Sequence, residues 1–221
     1  MRNLSIVLTV VLVVSLGCGT TNSAGGGSSK SKSATTTVDG LVKVEIEGHG
    51  DLYLRKDHGI GGYDAIAIAP SFINYRRTSA KLDPDDEEVY LVSLEQSLLD
   101  IAETAEVPIE NALGHCVIKV GAGFVNVDLA RSDSAKILGR MTLVIEYKDS
   151  VSGQSLLRYA RPEEIEKVAG GASREQQIGD SFDRMVEEVN VIGALTAATS
   201  VPSPPRPGCS GTLVKARTPY E

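Results

Sequence analysis

Tryptophan is absent from this 221-residue sequence, and only three Phe, three His and three Cys occur. With aromatics at only 5% of the chain, a dense platform to stack on sugar rings or unpaired bases is absent, which weakens carbohydrate and single-strand readings. The core must therefore be aliphatic. Three histidines, His49, His58 and His115, are too few and too irregularly spaced for a zinc pattern, and they read as loop residues exposed to water. A basic patch is also missing: 22 Lys and Arg face 29 Asp and Glu, for a net charge of −7. Nucleic-acid affinity rests on cations that neutralise phosphates, so no nucleic-acid partner is expected. No G-x-S-x-G elbow, P-loop or H-E-x-x-H is present. Gly59-Ile60-Gly61-Gly62 precedes a strand pattern, whereas a dinucleotide loop must follow one and open a helix. Gly121-Ala122-Gly123-Phe124 runs on into a strand pattern as well. The sequence thus offers no catalytic set, and no cofactor or metal is expected.

The N-terminus is more informative. Arg2 and the free amine precede an apolar run from Leu4 to Val14, broken only by Ser5 and Thr9. That run falls short of the about 20 residues a bilayer span needs and suits the h-region of a secretory signal. Ser15-Leu16-Gly17-Cys18 follows, which resembles the bacterial lipobox, with Ser15 and Leu16 exchanged relative to the usual order. The resemblance implies cleavage of residues 1–17 and acyl chains, palmitate among them, on Cys18. Two or more such chains, at about 0.8 kcal/mol per buried CH₂, make a lasting anchor. Ser15 and Gly17 also fit the small-x-small rule of ordinary secretion, which would leave Cys18 as a thiol. Gly19 rather than Asp follows, which favours the outer membrane, facing the periplasm. Cleavage removes one Arg and no acid, moving the net charge from −7 to −8.

Residues 18–40 are mostly Gly, Ser and Thr, a flexible tether that reaches roughly 25 Å. A domain is expected over 41–198. Val42, Val44 and Ile46 alternate with charged residues as a half-buried strand does, and Leu52-Tyr53-Leu54 returns. Ala65–Ala69 is small and apolar enough for a central strand, stopped by Pro70. Asp83 stands at an N-cap, Pro84 at the first helical position, and four acids complement the dipole. The DPDDEE run lacks EF-hand spacing and its Gly, so it reads as helix-cap electrostatics. Leu91, Leu94, Leu98, Ile101, Ala102 and Ala105 make the apolar stripe of this helix, with Glu95 off it. One or two strands lie between Val117 and Leu129, interrupted at Gly121 and Gly123. Met141–Lys148 and Ser155–Ala160 form a hairpin about the turn DSVSGQ. Ser173 caps a second helix to about Ala194, buried through Ile178, Phe182, Met185, Val189 and Ile192.

Beyond Thr199, VPSPPRPGCSG reads as a solvated, disordered tail over 199–221. Cys116 reads as a buried structural thiol. A bridge from it to Cys209 is the alternative, and would tie the tail to the domain. The fold class is therefore α+β: a mixed sheet with two amphipathic helices packed on one face, with parallel strands flanking the first helix.

The YDAIAIAPSF strand, the Asp-to-Gly hairpin turn, the apolar return strand and the amphipathic helix after it resemble an uncharacterised bacterial lipoprotein family known only as a domain of unknown function. YDAIAIAPSF is also similar to the opening strand of some periplasmic assembly-factor lipoproteins. The resemblance spans Tyr63 to Ile192 and implies an anchored α+β module without catalytic residues. The expected role is non-enzymatic: a structural or partner-binding envelope lipoprotein, bound to the membrane through Cys18 and to an envelope protein. A periplasmic small-ligand-binding protein or an enzyme with a site dispersed over loops is the alternative.

Overall fold

The computed structural model describes residues 36–46, 50–170, 172–187, 198 and 206–215. The expected lipidation site Cys18, the expected signal over 1–17, His49, Val189 and Ile192 lie outside them. Among the described residues, seven strands form one sheet: β1 (Val42–Val44), β2 (Asp51–Leu54), β3 (Ala65–Ile68), β4 (Phe72–Tyr75), β5 (Val117–Leu129), β6 (Ile137–Asp149) and β7 (Ser155–Glu166). Two long helices, α1 (Pro84–Thr104) and α2 (Arg174–Glu187), and a single turn, α3 (Thr212–Lys215), accompany it. The order across the sheet is β1-β2-β7-β6-β5-β3, with β4 continuing along β5 beside β3.

The local signals for α1 act as expected. The Asp83 side chain accepts the Asp85 N–H at 3.0 Å, and Pro84 opens the helix with acids in its first turn. Such a cap satisfies one of the orphan N–H groups at the helix start. Leu94, Leu98 and Ala102 point into the core. Ser173 caps α2 by accepting the Gln176 N–H, and Ile178, Phe182 and Met185 are buried. The helices meet where the Phe182 ring stacks on Tyr90 at 4.9 Å and meets Phe124 of β5 edge-on at 4.7 Å. One layer of helices thus covers one face of the mixed sheet.

The long β6–β7 hairpin is the backbone of that sheet, and its turn is built on Asp149. Asp149 Oδ1 accepts from Val151 N, Ser152 N and the Ser152 hydroxyl, while Gly153 takes a positive φ. A short polar side chain bonding ahead and a glycine beyond it are what such a reversal needs.

Three expectations are corrected. First, β3 is not central: it ends the sheet, parallel to β5. It stays buried because the Ile66 N–H bonds Pro108 O and its carbonyl accepts the Glu110 N–H, so the loop after α1 covers the edge. Second, Gly121 and Gly123 do not interrupt β5, which runs unbroken for 13 residues. Its irregularity comes later, between Val125 and Asp128, where Asn126 has φ 55°. Gly123 answers a different demand: a Cβ there would lie 2.4 Å from the Phe72 carbonyl oxygen. Third, residues 36–40 belong to the domain rather than to a tether, since Thr36 bridges Val42 and Asp39 pairs with Arg158.

Candidate functional site

Polar side chains converge in two places. The first is the end of the sheet where residues 206–215 cross Tyr63 and the start of β5. Cys116 and Cys209 are disulfide-bonded, so Cys116 is no free thiol, and 206–215 are no solvated tail. Asp64 Oδ1 accepts from Ser210 N, the Ser210 hydroxyl and Thr212 N. The Leu213 N–H bonds Tyr63 O, and the Leu213 side chain is fully buried. The Arg206 backbone runs so near Gly62 that a Cβ there would sit 2.5 Å from Arg206 N.

At the centre of this strap the Tyr63 hydroxyl donates to Asp149 Oδ2 at 2.7 Å, and Arg206 reaches the same oxygen at 2.5 Å. The Arg206 guanidinium lies 4.4 Å from the Tyr63 ring centroid and also donates to His115 O at 2.6 Å. Burial would raise the Asp149 carboxyl, but the Ser152 N–H and hydroxyl, Tyr63 and Arg206 outweigh it and hold it down at about 2. Burial first, and then the Asp149 charge, push the Tyr63 phenol well above its usual range. A general base works best near the ambient pH, and these two groups are driven away from it in opposite directions. The cluster is a structural knot. Asp64, Cys116 and Cys209 are the one grouping of potential metal ligands among the described residues, and two of the three are committed to the disulfide.

The second place is the sheet face opposite the helices. There Arg158 of β7 bonds Glu146 of β6 at 2.5 Å and Asp39 at 2.7 Å, and Lys148 adds a 2.6 Å contact to Glu146. Lys43 and Asp51 continue the row across β1 and β2. Burial would raise the Glu146 carboxyl, and Lys148 and Arg158 hold it below the ordinary range. No described helix covers this face, and its charges neutralise one another across neighbouring strands.

The histidines separate. His115 is exposed and its Nε2 lies 2.9 Å from Pro207 O. His58, expected in water, is buried, and its Nδ1 accepts the Ile60 N–H that begins a 3₁₀ turn. A local turn bond of this kind leaves no trace in residue spacing. The strap is hidden in the sequence for a similar reason: its Pro-rich composition describes the segment's stiffness, while its attachment depends on Arg206, Cys209 and Leu213 meeting partners some 90 to 150 positions earlier. Leu213 and the odd pair of cysteines were the available signals.

No protein-family model and no curated protein matches the chain. Among solved structures, a PelC dodecamer from Paraburkholderia phytofirmans is 10% identical over 60% of this chain and 86% of its own, with a TM-score of 0.35. Lipoprotein GNA1162 from Neisseria meningitidis is 7% identical over 57% of this chain and 99% of its own, with a TM-score of 0.29. Similarity at this level decides nothing about the activity of this chain. No helix among the described residues is long and apolar enough to cross a membrane.

Proposed function

We propose that the protein is an envelope lipoprotein held at the outer membrane by acyl chains on Cys18, with its domain in the periplasm as a non-enzymatic partner-binding module. The observation that carries this reading is the Cys116–Cys209 bond, because a disulfide that closes a fold persists in oxidising compartments and is rare in reducing ones. It agrees with a secretory h-region that ends in cysteine. Binding rather than catalysis is supported by the saturation of the Tyr63–Asp149–Arg206 cluster, whose bonds build the β6–β7 turn and fix the strap. The sheet face carrying Arg158, Glu146 and Lys148 offers the partner a flat, polar platform.

The deciding experiment is membrane fractionation and acyl labelling of the chain and of Cys18→Ala. The substitution should abolish both signals and leave the domain folded, since Cys18 precedes every described element. Sedimentation of Cys18→Ala with membranes through a high-salt wash would refute the anchor. Crosslinking in the envelope with Cys18 intact then tests for a protein partner, and stoichiometric binding of a metabolite to the purified chain would favour the ligand-binding alternative instead.

A further inference from the structure

The charge of this chain is unevenly distributed. Residues 83–110 contain ten Asp and Glu and no Lys, Arg or His, so all 22 cations and only 19 anions lie elsewhere. Acids elsewhere on the domain are frequently ion-paired, as Asp39, Asp51, Glu146, Glu163 and Glu164 are. None of the ten is ion-paired among the described residues. Capping and the helix dipole account for Asp83 and the first turn of α1, because that effect fades within one turn. They leave Glu88 and Glu103 without a local reason, while Glu95 accepts the Ser71 N–H and Asp100 the Gln96 side-chain amide, neither of which supplies a counter-charge.

An apolar feature lies within the same surface. Val89 and Val92 are each 58% exposed on α1. Glu88, Leu91, Val92 and Glu95, at i, i+3, i+4 and i+7, form one wall of a cleft of about 420 Å³, and Leu82 and Ser71 stand opposite. Two carboxylates on its rim are positioned by the fold: Glu87 accepts the Tyr75 hydroxyl at 2.9 Å, and Glu95 accepts the Ser71 N–H at 2.6 Å. The Ser71 hydroxyl is buried and has no hydrogen-bond partner among the described residues. Lys81 also lines the cleft, with its ammonium over the Tyr75 ring at 5.8 Å, so its rim carries three carboxylates against one cation. An aliphatic cleft with this acidic excess is complementary to an aliphatic side chain flanked by cations.

We propose that this cleft along α1 docks a segment of a partner protein that inserts an aliphatic side chain beside Leu91 and Val92 and sets Lys or Arg against Glu88 and Glu95. The proposal rests on the reading of the protein as a binding module and names a surface distinct from the open sheet face. α1 lies on the helical side of the sheet, so a partner here leaves the Arg158 face free. An anionic lipid surface would be repelled by the same carboxylates.

The test is titration of the full chain with a labelled amphipathic Lys/Leu peptide, with a Lys/Gly peptide of equal charge and a Glu/Leu peptide as comparators. The Lys/Leu peptide should bind at least ten-fold more tightly than either. Val89→Ser with Val92→Ser should weaken it about ten-fold, as should Glu88→Gln with Glu95→Gln. Glu95→Gln keeps an acceptor for the Ser71 N–H, and the valines are exposed, so both variants stay folded by circular dichroism. Asp57→Asn, an exposed acid off the helix, should bind as the parent does. Equal binding of Lys/Leu and Lys/Gly, or binding indifferent to the valine pair, would reduce the effect to net charge and overturn the proposal. Self-association abolished by the valine pair would overturn it too, by assigning the cleft to a second copy. Either failure leaves the anchoring and envelope-crosslinking results standing, so the broader reading is judged separately.

Discussion

Tyr63 and Asp149 stand 86 residues apart in sequence and share a 2.7 Å hydrogen bond with both side chains buried. One belongs to the approach to β3 and the other to the β6–β7 turn, so the bond reaches across β5 and ties the two together at one end of the sheet. Arg206 completes it from the strap.

Acid should weaken this tie. The Asp149 carboxyl titrates at about 2 in the folded chain and near 3.9 when unfolded. A folded pKa below the unfolded one stabilises fully above the unfolded value, and the stabilisation is lost as pH falls from about 4 through 2. The contribution is about 2 kcal/mol. Urea midpoints measured from pH 6 to pH 2 should fall more steeply for the parent than for Asp149→Asn, which lacks the titrating group. Parallel slopes would show that Asp149 is not held low.

Cys209→Ser should destabilise the domain by about 2–5 kcal/mol, the usual cost of removing a native disulfide, toward the upper end for a loop this long. Here the two cysteines are 93 positions apart. Thermal unfolding without reductant should separate variant and parent, and unfolding in excess dithiothreitol should bring them together. A difference that persists in reductant would assign the loss to packing at Cys209 instead.

Leu98 is 1% exposed beneath α1, and Leu98→Ala should cost about 2–5 kcal/mol through transfer and cavity terms. Glu95 lies off the apolar stripe, yet it accepts the Ser71 N–H. Glu95→Ala should therefore cost about 1 kcal/mol, with Glu95→Gln close to the parent. Chemical denaturation of the three variants orders them, and a Glu95→Ala curve on top of the parent would remove the bond from the account.

Gly121 and Gly123 should respond in opposite ways to alanine. A Cβ at Gly121 meets Ala69 at an ordinary 3.7 Å, whereas at Gly123 it meets the Phe72 carbonyl oxygen at 2.4 Å and its ring at 2.8 Å. Gly123→Ala should cost about 1–3 kcal/mol by displacing β4, while Gly121→Ala should lie within about 0.5 kcal/mol of the parent. Equal melting temperatures for the two would contradict the close approach of β4.

The parts of the fold legible in sequence are those whose chemistry is local. Asp83-Pro84 specifies a helix start and Asp149 to Gly153 a turn, because each bonds groups a few residues away. The stripe of Leu94, Leu98 and Ala102 announces its buried side by period alone. What could not be read depends on distant partners. Small apolar residues in β3 fit a central strand or a covered edge equally well, and the choice falls to Pro108 and Glu110 meeting Ile66. The strap at 206–215 is bound through partners near Tyr63 and Cys116, which no window of neighbouring residues contains. Of the candidate surfaces, the acid of α1 was visible as a cap, but its lack of pairing is a property of the assembled molecule.

Chain order gives the strap a further meaning. Cys209 follows every described strand and both long described helices, so a chain emerging from its N-terminus presents Cys116 long before its mate. For the interval between them the domain is a clasp with one half missing, its Tyr63 and Asp149 waiting for an arginine. If the protein is exported as proposed, nearly the whole length of the described fold must cross before the latch can shut, and a chain stalled short of that point would be left unsealed, with the Cys116 thiol unpaired.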